Sequence, residues 1–134
     1  MSLRGEFEKV LREFMEATGG DVVGCSLART DGLMVASILP AGIDRRRIAA
    51  LGATIAGVAG KLCKDLDRGE PLRTMIEGSK GNLIATPVGG NMLLVALTTE
   101  SPNLGLILIE MEKAAEYVKA LLKKPRRSEF LSPV

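Results

Sequence analysis

Few residues in this 134-residue chain could do chemistry. It has two cysteines, Cys25 and Cys63, and no histidine. Without an imidazole, neither a Ser-His-Asp nor a Cys-His set can form, and a zinc site lacks ligands. The cysteines have no C-x-x-C spacing and sit among apolar neighbours, so both are expected to be buried, reduced thiols of the core. Residues 52–61, with Gly52, Gly57, Gly60 and Lys61, invite comparison with a phosphate loop. Such a loop needs a glycine five residues before its Gly-Lys pair and a hydroxyl just after it; this chain has Ile55 and Leu62 there. Glu110 with Glu112, and Asp65 with Asp67, fall on polar parts of helical patterns and read as solvated charges rather than acid–base pairs. Arg46 or Arg68 could in principle serve as an arginine finger, though long exposed arginines are common. No catalytic residue, metal ligand or cofactor site is assigned, and the chain is expected not to be an enzyme.

Composition narrows the remaining classes. A formal charge of +2 and 3% aromatic residues argue against a nucleic-acid binder, which concentrates positive charge and offers stacking surfaces. The one dense basic cluster near a terminus, Lys123, Lys124, Arg126 and Arg127, follows the last helical pattern and reads as part of a solvated tail. With 46% apolar residues and no Trp, the core is aliphatic. At roughly 25 cal/mol per Å² of buried apolar surface it needs no disulfide or metal. The length suits one domain, placed at 1–124, with a flexible basic tail at 125–134. Arg4, Glu6, Glu8 and Lys9 interrupt any secretory leader. The longest uncharged helical stretch, 48–60, is too short to cross a bilayer. A cytoplasmic protein without membrane insertion is expected.

The elements that would position any site follow from periodicity. Leu3, Phe7, Val10, Leu11 and Phe14 form an amphipathic helical stripe, stopped by Gly19 and Gly20. Residues 22–28 are apolar at nearly every position, as in a strand covered on both faces. Asp31-Gly32 marks a hairpin turn into a return strand at 33–39. Asp44 is a suitable N-cap for a second helix running to about Leu66, whose core stripe is expected to be Ile48, Leu51, Ile55, Val58, Leu62 and Leu66. Strand-like runs follow at 72–77, 83–88 and 92–98, and a last helix spans about 103–123, although 106–109 fits a short strand as well. The class is α+β, in the order α-β-β-α-β-β-β-α. Hairpin links make the five-stranded sheet antiparallel, and central strands apolar on both sides require helices on both faces.

Opposite that expected core stripe, the second helix carries another row: Arg46, Ala50, Ala53, Gly57, Gly60 and Lys64. Its spacing alternates four and three, as in the seam between packed helices. Glycine costs a helix about 1 kcal/mol relative to alanine, so small residues here mark either a face against the domain's own sheet or a face that meets a partner helix, most simply its copy across a twofold axis. The run 72–77, with Leu72, Thr74 and Ile76, starts after Pro71, as edge strands do. Pairing with the same strand of a second subunit would satisfy that edge.

Several stretches together resemble the roadblock family, which includes dynein light chains, bacterial gliding regulators of the MglB type and lysosomal scaffold subunits. They are Val23-Gly24-Cys25-Ser26-Leu27 leading into Asp31-Gly32-Leu33, the small-rich helix at 48–63, Met75-Ile76-Glu77-Gly78, Pro87-Val88-Gly89, and Asn103-Leu104-Gly105-Leu106. The resemblance implies one helix on one face of the sheet and two on the other. It also implies a dimer built by the second helix and third strand, and a role in binding or regulating Ras-like small GTPases or in scaffolding a larger complex. It makes the second helix the docking platform. Two alternatives stand beside that regulator: a structural subunit of a motor or adhesion complex, and a small-molecule sensor domain.

Overall fold

The computed structural model describes residues 2–123. The expected tail at 125–134 lies outside them. Helix α1 (Leu3–Ala17) starts where the Ser2 hydroxyl accepts the Gly5 N–H at 3.0 Å, and it buries Phe7, Val10, Leu11 and Phe14. Its end passes through Gly19 and Gly20, both at positive φ. Strands β1 (Val22–Arg29) and β2 (Met34–Ile38) form the first hairpin. Helix α2 (Arg45–Asp65) is capped by Asp44, whose carboxylate accepts the Arg46 N–H at 2.9 Å. Strands β3 (Thr74–Gly78), β4 (Gly81–Val88) and β5 (Met92–Thr98) follow, then α3 (Leu104–Lys123).

The strands make one antiparallel sheet in the order β2-β1-β5-β4-β3, so β2 and β3 are its edges. This is the expected α+β architecture. Side chains alternate across the pleat. Leu94 and Ala96 of β5, with Cys25 and Leu27 of β1 and Ile84 of β4, face a core filled by Phe7, Leu11 and Phe14 of α1 and Ile107, Met111 and Val118 of α3. On the other face, Leu93, Val95 and Ala85 lie under α2, packed by Ile55 and Ala56. The run at 106–109 is helical: Asn103 opens α3 by accepting the Leu106 N–H on Oδ1 at 3.2 Å and the Ile107 N–H on its carbonyl at 3.1 Å. β3 starts at Thr74, two residues later than the sequence pattern suggests, and Leu72 precedes it in an exposed segment.

Candidate functional site

The site is built on α2, where the expected core stripe is overturned. The residues that face the sheet are small. Ala49 and Gly52 are the buried positions of the helix, and a Cβ on Gly52 would sit 3.4 Å from Leu93 Cδ2 and 3.7 Å from Val95 Cγ2. Small side chains let α2 lie close to the sheet, which leaves the large aliphatics outside. Leu51 is 48% exposed, Val58 54%, Leu62 54% and Leu66 60%. At 100° per residue, Leu51, Ile55, Val58 and Leu62 form a ridge along one flank. Ile55 alone of these packs on the sheet cluster.

The row of Arg46, Ala50, Ala53, Gly57, Gly60 and Lys64 occupies the opposite flank and the outer side. A Cβ on Gly57 or Gly60 would meet nothing within 4 Å. Arg46 and Ala49 border a cavity shared with Gly32, Leu33 and Met34, so this flank looks toward the β1–β2 turn. The aliphatic ridge looks the other way, along the strands.

In that direction the sheet presents a second aliphatic row. Thr74, Ala85 and Val95 pair across β3, β4 and β5, and Ala85 and Val95 are buried on the α2 side. Two residues along each strand, on the same face, Ile76 pairs with Leu83 and Leu83 with Leu97. Leu83 and Leu97 are half-buried and Ile76 is exposed. The ridge of α2, this row and the β3 edge with Thr74 and Ile76 therefore adjoin one another. The structure brings Thr74 and Ile76 beside the ridge. Ala50, Ala53, Gly57 and Gly60, singled out with them in the sequence, look elsewhere. Leu51, Val58 and Leu62 were assigned to the core. The signal that places them outside is the row Ala49, Gly52, Ala56, Ala59 and Cys63, which repeats the seam spacing one residue away from the row first noticed.

The titratable groups make no reactive cluster. Cys25 is buried, its Sγ 3.8 Å from the Leu11 carbonyl oxygen, and burial pushes its thiol up to about 12. Cys63 is half-buried on α2. Asp65 pairs with Lys61 at 3.0 Å and Glu110 with Lys113 at 3.2 Å, so these carboxylates face lysines rather than each other. Arg68 donates through Nε to the Leu66 carbonyl at 2.9 Å. Among the described residues, no group of three or more His, Cys, Asp or Glu side chains is placed to hold a metal ion, and no helix is long and apolar enough to cross a membrane. A cavity of about 180 Å³ lies between α2 and the sheet beside Thr74 and Pro87. It is smaller than the roughly 300 Å³ at which ligand pockets usually begin.

Comparison with known proteins agrees with this architecture. The chain is 35% identical over 114 residues to Uncharacterized protein MJ1340 of Methanocaldococcus jannaschii, an alignment covering 85% of this chain and 97% of that protein. Its fold superposes on that of MglB from Myxococcus xanthus with a TM-score of 0.82 and 23% identity, over 88% of this chain and 95% of that one. It superposes on MglB in a tetrameric arrangement with a TM-score of 0.80 and 24% identity, over 90% of each chain. Residues 6–98 match the pattern of the Roadblock/LC7 domain, and the chain belongs to that family.

Proposed function

We propose that this chain is a non-enzymatic homodimeric regulator or scaffold that docks a Ras-like small GTPase. The observation that carries it is the exposed aliphatic ridge of α2 beside the uncovered Ile76–Leu83–Leu97 row and the free edge of β3. Leu51, Val58 and Leu62, each about half exposed, are costly to leave in water on a small domain. An edge strand beside them offers unpaired backbone groups. A twofold axis at β3 satisfies both needs: β3 pairs with its copy, and each α2 lays its ridge over the partner's uncovered row. The interface is then isologous, with Leu51, Val58, Leu62, Thr74 and Ile76 buried in both copies.

In such a dimer the opposite flank of α2, with Ala50, Ala53, Gly57 and Gly60 between Arg46 and Lys64, stays outward. It serves as the docking platform. The family resemblance supplies the class of partner. The chain acts by shifting the conformation of the GTPase's switch segments or by holding it in an assembly, which requires no catalytic side chain here. A pull-down with a Ras-like GTPase from the same genome, loaded in turn with GDP and with a non-hydrolysable GTP analogue, tests this. Capture in at least one state is expected; no capture in either would remove the GTPase from the account.

A further inference from the structure

Charge is distributed unevenly among the three helices. Within Arg45–Asp65, α2 carries five cations, Arg45, Arg46, Arg47, Lys61 and Lys64, against one carboxylate, Asp65. On the other side of the sheet, α1 has three cations against four acids and α3 three against three. Of the five, Lys61 is paired with Asp65; the three arginines and Lys64 have no ion pair among the described residues. Asp44 and Asp67 flank the helix ends, and the Asp44 carboxylate is engaged in capping. The cations also fall into two groups. Arg47 and Lys61 are 14 positions apart, which is about 21 Å along a helix. Between them, away from the ridge that carries Leu51 and Val58, the exposed positions are Ala50, Thr54 and Gly57, all short. The outer face of α2 is thus a saddle, recessed in the middle; three unpaired arginines make its N-terminal end positive, while at the other end Lys61 and Lys64 are balanced by Asp65 and Asp67.

We infer that this saddle receives a convex, acidic protein surface, and that the GTPase partner presents carboxylates to the arginines at its N-terminal end. The inference rests on the docking face proposed above and specifies its chemistry. A flat bilayer would touch the two ends but span the recessed middle, and α2 has no aromatic side chain on which a nucleotide base could stack. A rounded protein surface fills the middle while its acids reach the arginines. Such charges act chiefly on the association rate and on partner choice, and they are screened by salt. Dimerisation doubles the effect by presenting two saddles.

The test is the affinity of the full-length dimer for the Ras-like GTPase of the same genome, measured for both nucleotide states at ionic strengths of about 0.05 M and about 0.5 M, across which the screening length falls severalfold. The double variant Arg46→Glu/Arg47→Glu is compared with Arg12→Glu on α1, an exposed arginine of the opposite face. Acidic residues suit the first turn of a helix, so the double variant keeps α2 folded, and light scattering confirms that it stays dimeric. At low salt the double variant should bind at least tenfold more weakly, the wild type should lose at least tenfold at high salt, and Arg12→Glu should stay within twofold. Wild-type binding that is indifferent both to salt and to the reversal would overturn the inference while leaving the docking face standing. No binding in either nucleotide state would overturn both. Sedimentation with phosphatidylglycerol vesicles, lost in the double variant while GTPase affinity is unchanged, would reassign the saddle to membranes and likewise overturn it.

Discussion

Val58→Asp is the most informative single change. Val58 is 54% exposed in the isolated subunit, so about half of its transfer free energy, on the order of 1 kcal/mol, is still to be gained when a partner covers it. Valine and aspartate differ little in helix propensity, and Val58 is not among the residues packed on the sheet clusters. The subunit should therefore tolerate the change. The dimer should not. A twofold interface loses the apolar gain twice, about 2 kcal/mol, and must also bury two carboxylates, each at several kcal/mol. A total of at least about 4 kcal/mol weakens dimerisation about a thousandfold. Light scattering should report the 14.2 kDa chain mass in place of twice that mass, with the far-ultraviolet circular dichroism of the subunit retained. A dimer mass that survives the substitution would refute the placement of the interface on this ridge. Loss of helical signal would show that Val58 packs within its own chain.

Further outcomes follow from the same geometry. Gly57→Leu meets open space in the subunit and gains about 0.8 kcal/mol of helix propensity; it should leave the dimer mass unchanged and weaken GTPase capture, and a monomer mass would move the interface to the Ala/Gly flank. Gly81 has φ +145°, and a Cβ there would lie 2.2 Å from the Thr98 carbonyl oxygen, so Gly81→Ala should cost about 2–4 kcal/mol and lower the melting temperature, whereas an unchanged Tm would mean the β3–β4 turn relaxes freely. Cys25 has a folded pKa raised to about 12, above its unfolded value near 8.5. Its neutral thiol therefore contributes stability that is fully present below that unfolded value and lost as pH rises toward the folded one. The loss is about 1.4 kcal/mol per pH unit within that window; urea titrations at about pH 8 and about pH 10 should show this extra slope in the wild type and not in Cys25→Ala, and equal slopes would contradict the burial of Cys25 as a neutral thiol.

The elements were legible because their signals are local. The stripe of α1, the glycines after it, the Asp31-Gly32 turn and the capping Asp44 each act within a few residues, and the structure places element ends close to those signals. α3 was ambiguous at 106–109 because short apolar runs suit strand and helix alike; Asn103 settles it through two hydrogen bonds that composition does not reveal. α2 was misread for a physical reason. Hydrophobic periodicity locates the apolar face of a helix and says nothing about what covers it. Here the sheet takes the small row of Ala49 and Gly52, because a close helix needs short side chains, and the large aliphatics are left facing outward. Two small-residue rows run side by side on this helix, one residue apart, and the burial of Ala49 and Gly52 with the packing of Ala56 beside Leu93 and Val95 tells which one meets the sheet. The free edge at β3 was readable from Pro71, whereas the Ile76–Leu83–Leu97 row depends on strand register and on where α2 stops covering the sheet.

An α2-ridge and β3-edge homodimer that carries a Ras-like GTPase on its outward face has a definite mass, read by multi-angle light scattering of the wild-type chain, alone and after mixing with that GTPase in each nucleotide state. Alone the chain should show twice its 14.2 kDa mass, rising by the mass of bound GTPase in at least one nucleotide state. A 14.2 kDa species that gains nothing from the GTPase would contradict it.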